Sequence, residues 1–221
     1  PMIGYLGEKL ANMPAMKFKD CVRVYKKVTS DTAIYVAALR GTKMNAGVGD
    51  LVRGVQGAMT RAPLRNPWTN ENLSHLGEAG GGFKSRAENY MKSRGGLFFK
   101  GDVENSYENL GLKVSINITG HSLGGASGQL LSLMMSQYFR TLPDVANAKL
   151  HVQNFSFNTP KSAGNKLAKA YAEEMNLGYL SIFHFSVTVD SITEWDPKNY
   201  ARNRTDPTNS PHTTISVLTA K

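Results

Sequence analysis

The chain has 221 residues, 41% hydrophobic and 19% charged. That excludes a disordered polypeptide and leaves one domain, residues 1–221, with a core large enough to stand without staples. A single cysteine, Cys21, excludes an internal disulfide framework, and no apolar run approaches the roughly 18 residues of a membrane span. The 26 Lys and Arg against 17 Asp and Glu give a formal charge of +9, which favours an anionic partner: a phospholipid surface, nucleic acid or an acidic protein. The basic residues are spread out, without an arginine-rich tail or a nucleic-acid motif, so the charge reads first as a solvated basic surface and nucleic acid is disfavoured. The N-terminus lacks the layout of a signal peptide and begins at Pro1, as expected of a processed form or an excised domain.

Ile3, Leu6, Leu10 and Met13 fit one face of a short N-terminal helix. Val22–Val28 and Thr32–Leu39 read as two strands joined by a turn at Ser30-Asp31. Asn45–Met59 carries Leu51, Val52, Val55 and Met59 as a short apolar helical stripe. Gly47, Gly49, Gly54 and Gly57 flank it as hinges, so it is a candidate lid over a site. Ala62–Gly82, rich in Pro, Asn and Gly, reads as a long surface connection, and Phe83–Lys92 as a helix. Gly77–Lys84 is not a phosphate loop, because Gly82 is followed by Phe83 rather than by Lys and Ser.

Residues 118–126, Ile-Thr-Gly-His-Ser-Leu-Gly-Gly-Ala, carry the strongest signal. Gly120-His121-Ser122-Leu123-Gly124 has the Gly-x-Ser-x-Gly form of a nucleophile elbow, a sharp strand-to-helix turn with serine at its tip. Val114, Ile116 and Ile118 alternate as in a strand. Leu123, Ala126, Leu130, Met134 and Tyr138 follow at helical spacing. The elbow glycines let strand and helix pass close together. The polar alternation of Ser115, Asn117 and Thr119 is unusual for a strand buried on both faces. A strand at Leu150–Phe157, a helix near Asn165–Met175, a strand at Ser181–Val189 and a last short strand at Ile215–Leu218 complete the chain. Strands alternating with helices predict an α/β fold with a mostly parallel sheet flanked by helices.

A serine hydroxyl needs a base, usually a histidine oriented by a carboxylate, and in the fold that uses this elbow the order is Ser, acid, His. His151 comes too early to leave an acid between, and His184 lies mid-strand. His212, in a loop, is free to reach over the sheet. His121 reads as a packing or hydrogen-bonding residue of the elbow. Among the acids, Glu173 and Glu174 are expected to face water from a helix. Asp190 follows a strand at the carboxyl end of the sheet, where such sites gather, with Asp196 and Asp206 in reserve.

At four places the chain resembles the fungal-type, or class 3, lipase family of α/β-hydrolases. These are Ala38-Leu39-Arg40-Gly41-Thr42, Gly82-Phe83, Ile118–Ala126, and Phe157–Asn165 with the strand leading to Asp190. Leu39 stands where an aromatic is common, and the stretch from Asp190 to His212 is short for the family. The resemblance implies ester hydrolysis of acylglycerols or phospholipids at a membrane or aggregate surface, with no metal or other cofactor. It implies Ser122 as nucleophile, Asp190 as orienting acid and His212 as base, with Thr42 and the Leu123 backbone N–H as oxyanion donors. The alternatives are an esterase or thioesterase on a non-lipid acyl compound, and a non-catalytic hydrolase scaffold that binds lipid or nucleic acid. The family's range extends to secreted or secretion-system-delivered toxin domains with a cognate protein inhibitor, so both remain open expectations.

Overall fold

The computed structural model describes residues 22–41, 60–143, 149–160, 162–187 and 213–217, with backbone alone for 186, 187 and 213–217. Val22–Val28 (β1) and Thr32–Leu39 (β2) form an antiparallel hairpin, as their β-branched alternation predicts. Lys113–His121 (β3), Leu150–Phe157 (β4) and Leu180–Val187 (β5) add successively in parallel to β2, and Thr213–Val217 (β6) closes the far edge antiparallel to β5. The six-stranded sheet therefore has the order β1-β2-β3-β4-β5-β6, with four parallel strands between two antiparallel edges.

Four helices are described: Gly81–Lys92 (α1), Arg94–Glu104 (α2), Leu123–Phe139 (α3) and Asn165–Asn176 (α4). Helix α3 packs on β3 and β4, with α1 and α4 beside it. Tyr35 of β2 meets Phe99 of α2 edge-on, 5.4 Å between ring centroids. All four helices pack on one sheet face, whose Ala33, Tyr35, Ala37, Ile116, Ile118 and Val152 are fully buried. Most of α3 is buried too, including Leu130, Leu131, Leu133, Met134 and Met135, so it is the central helix of the core. None of the described helices is long and apolar enough to cross a membrane.

The opposite face accounts for the polar alternation of β3. Ser115, Asn117 and Thr119 point there and are only half-buried. Asn117 Nδ2 donates to the Tyr35 carbonyl and to Ser115 Oγ, both at 3.2 Å, so the polar groups are satisfied laterally within the sheet. Beside them Phe155 stacks on Phe183, and Phe157 on Phe185, each pair 4.9 Å apart.

Two stretches differ from expectation. The predicted surface connection at 62–82 is ordered and partly internal. Arg61–Pro63 pairs with Glu78–Gly80, and Arg65–Asn66 with Glu71–Asn72. Leu64 and Leu73 are buried, and Asn66 Nδ2 donates to the Met134 carbonyl of α3 at 2.8 Å. Strands of two or three residues are too short to show a hydrophobic period. Helix α2 has no counterpart in the sequence reading, and its Gly95, Gly96 and Gly101 are residues that disfavour a helix interior. Two of these are buried. A Cβ on Gly96 would stand 2.1 Å from the Tyr90 carbonyl oxygen, so the glycine permits the close α1–α2 contact. Ser93 caps α2 by accepting from Gly96 N at 3.0 Å, and the helix runs on into a single π turn at Asn105–Asn109. The predicted N-terminal helix lies outside the described residues.

Candidate active site

Strand β3 ends at His121, α3 starts at Leu123, and Ser122 makes the turn between them with φ 53° and ψ −124°. This is a sparsely populated region for a residue with a side chain, and it persists only where the surroundings over-determine it. They do so here. Ser122 N donates to the Phe157 carbonyl of β4 at 2.9 Å, and the Ser122 carbonyl accepts from Ala126 N at 3.1 Å in the first turn of α3. The glycines act by close approach. A Cβ on Gly120 would lie 2.5 Å from Gly124 C, and one on Gly124 would lie 2.4 Å from the Leu39 carbonyl oxygen. Strand, helix and the end of β2 thus meet backbone to backbone around the serine.

The Ser122 hydroxyl does not cap α3. The N-terminal N–H groups of the 17-residue helix, that of Leu123 among them, have no partner inside it, and the helix dipole makes this end favourable to developing negative charge. Gly41 brings a second segment to the same place, since a Cβ there would be 2.8 Å from the His121 carbonyl oxygen. Thr42 is the next residue. His121 itself is exposed, and Phe157 and Phe185 stand beside it in register on the open face.

A buried polar belt behind the elbow escaped the sequence reading. Gln129 Nε2 of α3 donates to Ser156 Oγ at 3.0 Å, and Ser156 donates to Asn154 Oδ1 at 2.7 Å. Ser162 donates to Gln129 Oε1 at 2.7 Å. The belt ties the elbow helix to β4 and to the segment after it. Its signal is the pair Asn154 and Ser156 on the inward face of β4, in line with Leu150 and Val152.

The other candidates fall as follows. His151 is at the amino end of β4, about 20 Å along the strand from Phe157. Both its nitrogens are engaged, Nδ1 with the Gly178 carbonyl at 2.8 Å and Nε2 with Ser181 Oγ at 2.9 Å. His184 is half-buried in β5. The expectation that Glu174 faces water is corrected: it is 2% exposed, its carboxylate accepting from Ser136 Oγ and pairing with Arg140 Nη1, both at 2.8 Å. Burial pushes its carboxyl above the usual range, against the pull of Ser136 and Arg140. Asp190 follows β5 in sequence and His212 immediately precedes β6. These two residues, with Thr42 and the candidate lid residues Leu51, Val52, Val55 and Met59, lie outside the described residues.

Comparison with known proteins places this geometry. Residues 36–199 match the family described as lipase (class 3). The crystal structure of M37 lipase is similar with a TM-score of 0.50 at 17% identity, covering 73% of this chain and 46% of its own. A fungal lipase in an inhibitor complex is 16% identical with a TM-score of 0.48, covering 74% of this chain and 52% of its own. Rhizomucor miehei lipase in its propeptide complex is 14% identical with a TM-score of 0.44, over 77% and 54%. At these identities the likeness to M37 lipase speaks for the fold alone, and the chain spans about half the length of these solved lipases. Among curated proteins no sequence matches. The family match covers the sheet from β2 through β5 and the elbow within it, and the chain belongs to the class 3 lipase family, with an α/β-hydrolase fold.

Proposed function

We propose that the chain, acting as a single domain, hydrolyses carboxylic esters of lipids, as a lipase or a phospholipase A, through an acyl-enzyme. The carrying observation is Ser122, held in a strained turn at the carboxyl edge of the sheet and at the head of α3. In this reading Ser122 Oγ attacks the ester carbonyl while His212 takes its proton. The oxygen of the tetrahedral intermediate becomes negative and is met by the Leu123 N–H and by Thr42. Such fixed donors are worth roughly 2.7–4 kcal/mol each. Collapse expels the alcohol, which receives the proton from His212, and water then repeats the sequence on the acyl-enzyme to release the fatty acid. Asp190 orients the imidazole and stabilises its charged form. Support comes from strand register: Val187 at the end of β5 pairs with Thr213 at the start of β6, and Asp190 and His212 are near neighbours of these two in sequence.

The test is product analysis after incubation with mixed glycerophospholipids and triacylglycerols. Fatty acid should appear with a lysolipid or a partial glyceride, and a fluorophosphonate should label Ser122. Release by Ser122→Ala protein at the parent rate would defeat the reading. Turnover confined to short soluble esters would move the substrate to a non-lipid acyl compound.

A further inference from the structure

Helix α2 buries Gly95, Gly96, Phe99 and Val103 against the fold and turns Arg94, Leu97, Phe98 and Gly101 outward. Leu97 is 54% exposed and Phe98 39%, two large apolar side chains side by side on one turn. Arg94 lies one turn before them and Gly101 one turn after, on the same helix surface. Lys92, the last residue of α1, precedes α2 with 56% of its side chain exposed and only a loose pairing to Glu88 within its own helix, at 4.0 Å. The nearby cations Lys26 and Lys100 are each spent on a carboxylate at 2.8 Å, Asp102 and Glu104. Arg94 has no ion pair among the described residues.

Gly101 is a second, independent observation. Glycine is disfavoured inside a helix, and Gly96 is there because a neighbour leaves no room. At Gly101 nothing lies within 4 Å of where a Cβ would stand. Internal packing therefore does not call for a glycine there. Its effect is to leave the apolar pair unobstructed on the C-terminal side, so a flat surface can approach the helix closely.

We propose that this knuckle docks the protein on an anionic phospholipid bilayer. Leu97 and Phe98 insert at the level of the upper acyl chains, and Arg94 and Lys92 meet the lipid phosphates. A stable protein interface takes about 800 Å² from each partner, far more than two side chains on one turn offer. A bilayer accepts single inserted side chains, and its anionic headgroups complement both the basic rim and the overall charge of +9. The docking goes beyond ester hydrolysis, since it uses no residue of the candidate site.

The experiment uses full-length Ser122→Ala protein, so binding is read without turnover and does not depend on the hydrolase reading. Co-sedimentation with phosphatidylglycerol–phosphatidylcholine vesicles should show binding that weakens on the order of tenfold with Leu97→Ser or Phe98→Ser, and further with both. Arg94→Gln should weaken binding to these vesicles and flatten its salt dependence. Pure phosphatidylcholine should bind the parent least. Unchanged circular dichroism and melting temperature exclude misfolding, and the added emission of Phe98→Trp should shift to the blue on vesicles. Parent-like binding by the double variant, vesicle binding without that shift, equal binding to both vesicle types, or no vesicle binding at all each overturns the proposal.

Discussion

Ser122 holds its half-buried place at the tip of the elbow with a positive φ, and its neighbours are chosen by contact distance. Gly124 is the sharpest case. The group its Cβ would meet at 2.4 Å is the Leu39 carbonyl, which is backbone and cannot swing aside. Gly124→Ala should therefore lower stability by about 1–3 kcal/mol and displace the elbow, with kcat falling along with the melting temperature. Thermal melts and ester kinetics would check it, and a variant with parent values for both would show that the β2 end yields freely. For the candidate triad, Ser122→Ala, Asp190→Asn and His212→Ala should each remove most activity, on the order of 10⁴ in kcat, and double variants should lose little beyond the worst single one. Normal turnover in His212→Ala would move the base elsewhere. Multiplicative losses in the doubles would mean that the three do not act as a unit.

At the scale of elements, α3 and α4 are joined at their far ends by Glu174, a carboxylate buried beside Ser136 and Arg140. Its carboxyl is raised in the folded state, so the native protein holds this proton more tightly than the unfolded chain does. Its favourable contribution is therefore present below the unfolded value of about 4.5 and is lost as pH rises through the folded one. Glu174→Gln has no charge to desolvate, so its melting temperature should gain on the parent as pH rises from about 4 to about 7. A difference that stays constant with pH would refute the burial argument. The candidate lid is tested in the same spirit. Leu51→Ser with Val55→Ser should blunt any rise in activity on aggregated lipid while sparing a short soluble ester, and equal loss on both substrates would remove the lid role. The elements differ in how plainly the sequence announces them. Strands β2 and β3 show a clean period because each presents one buried face to the core, and α3 shows as a long apolar run because it is buried nearly all round. Helix α2 shows neither, since Gly96, which lets it nestle against α1, is of a residue type that disfavours helices. Asn154, Ser156, Gln129 and Ser162 are scattered along the chain, and only folding makes them a belt. Of the candidate site, the elbow was legible because its glycines answer to local backbone contact. Asp190 and His212 rest on chain order and resemblance, because nothing within a few residues of either dictates its role.

Across the whole molecule, charge and topology act over longer distances. With +9 at neutral pH, activity on anionic vesicles should fall as salt shortens the reach of the field to about 8 Å near physiological ionic strength. Activity on a neutral soluble ester should hardly change, and parallel loss on both substrates would point to a general salt effect instead. The sheet itself joins two pieces of chain far apart in sequence. Thr32 pairs with Lys113, about 80 residues on, whereas β1–β2 is a tight hairpin and β3-α3-β4-α4-β5 is assembled from contiguous crossovers. That seam sets the tempo of folding. Closing so long a loop costs entropy before any contact rewards it, so the crossover unit should organise first and the hairpin should dock afterwards. Ile118→Val, in β3, should then slow refolding, while Val36→Ala, in β2, should leave the refolding rate nearly intact and hasten unfolding. The reverse pattern in stopped-flow chevrons would mean that the hairpin leads, and that the elbow takes shape only as the last strands arrive.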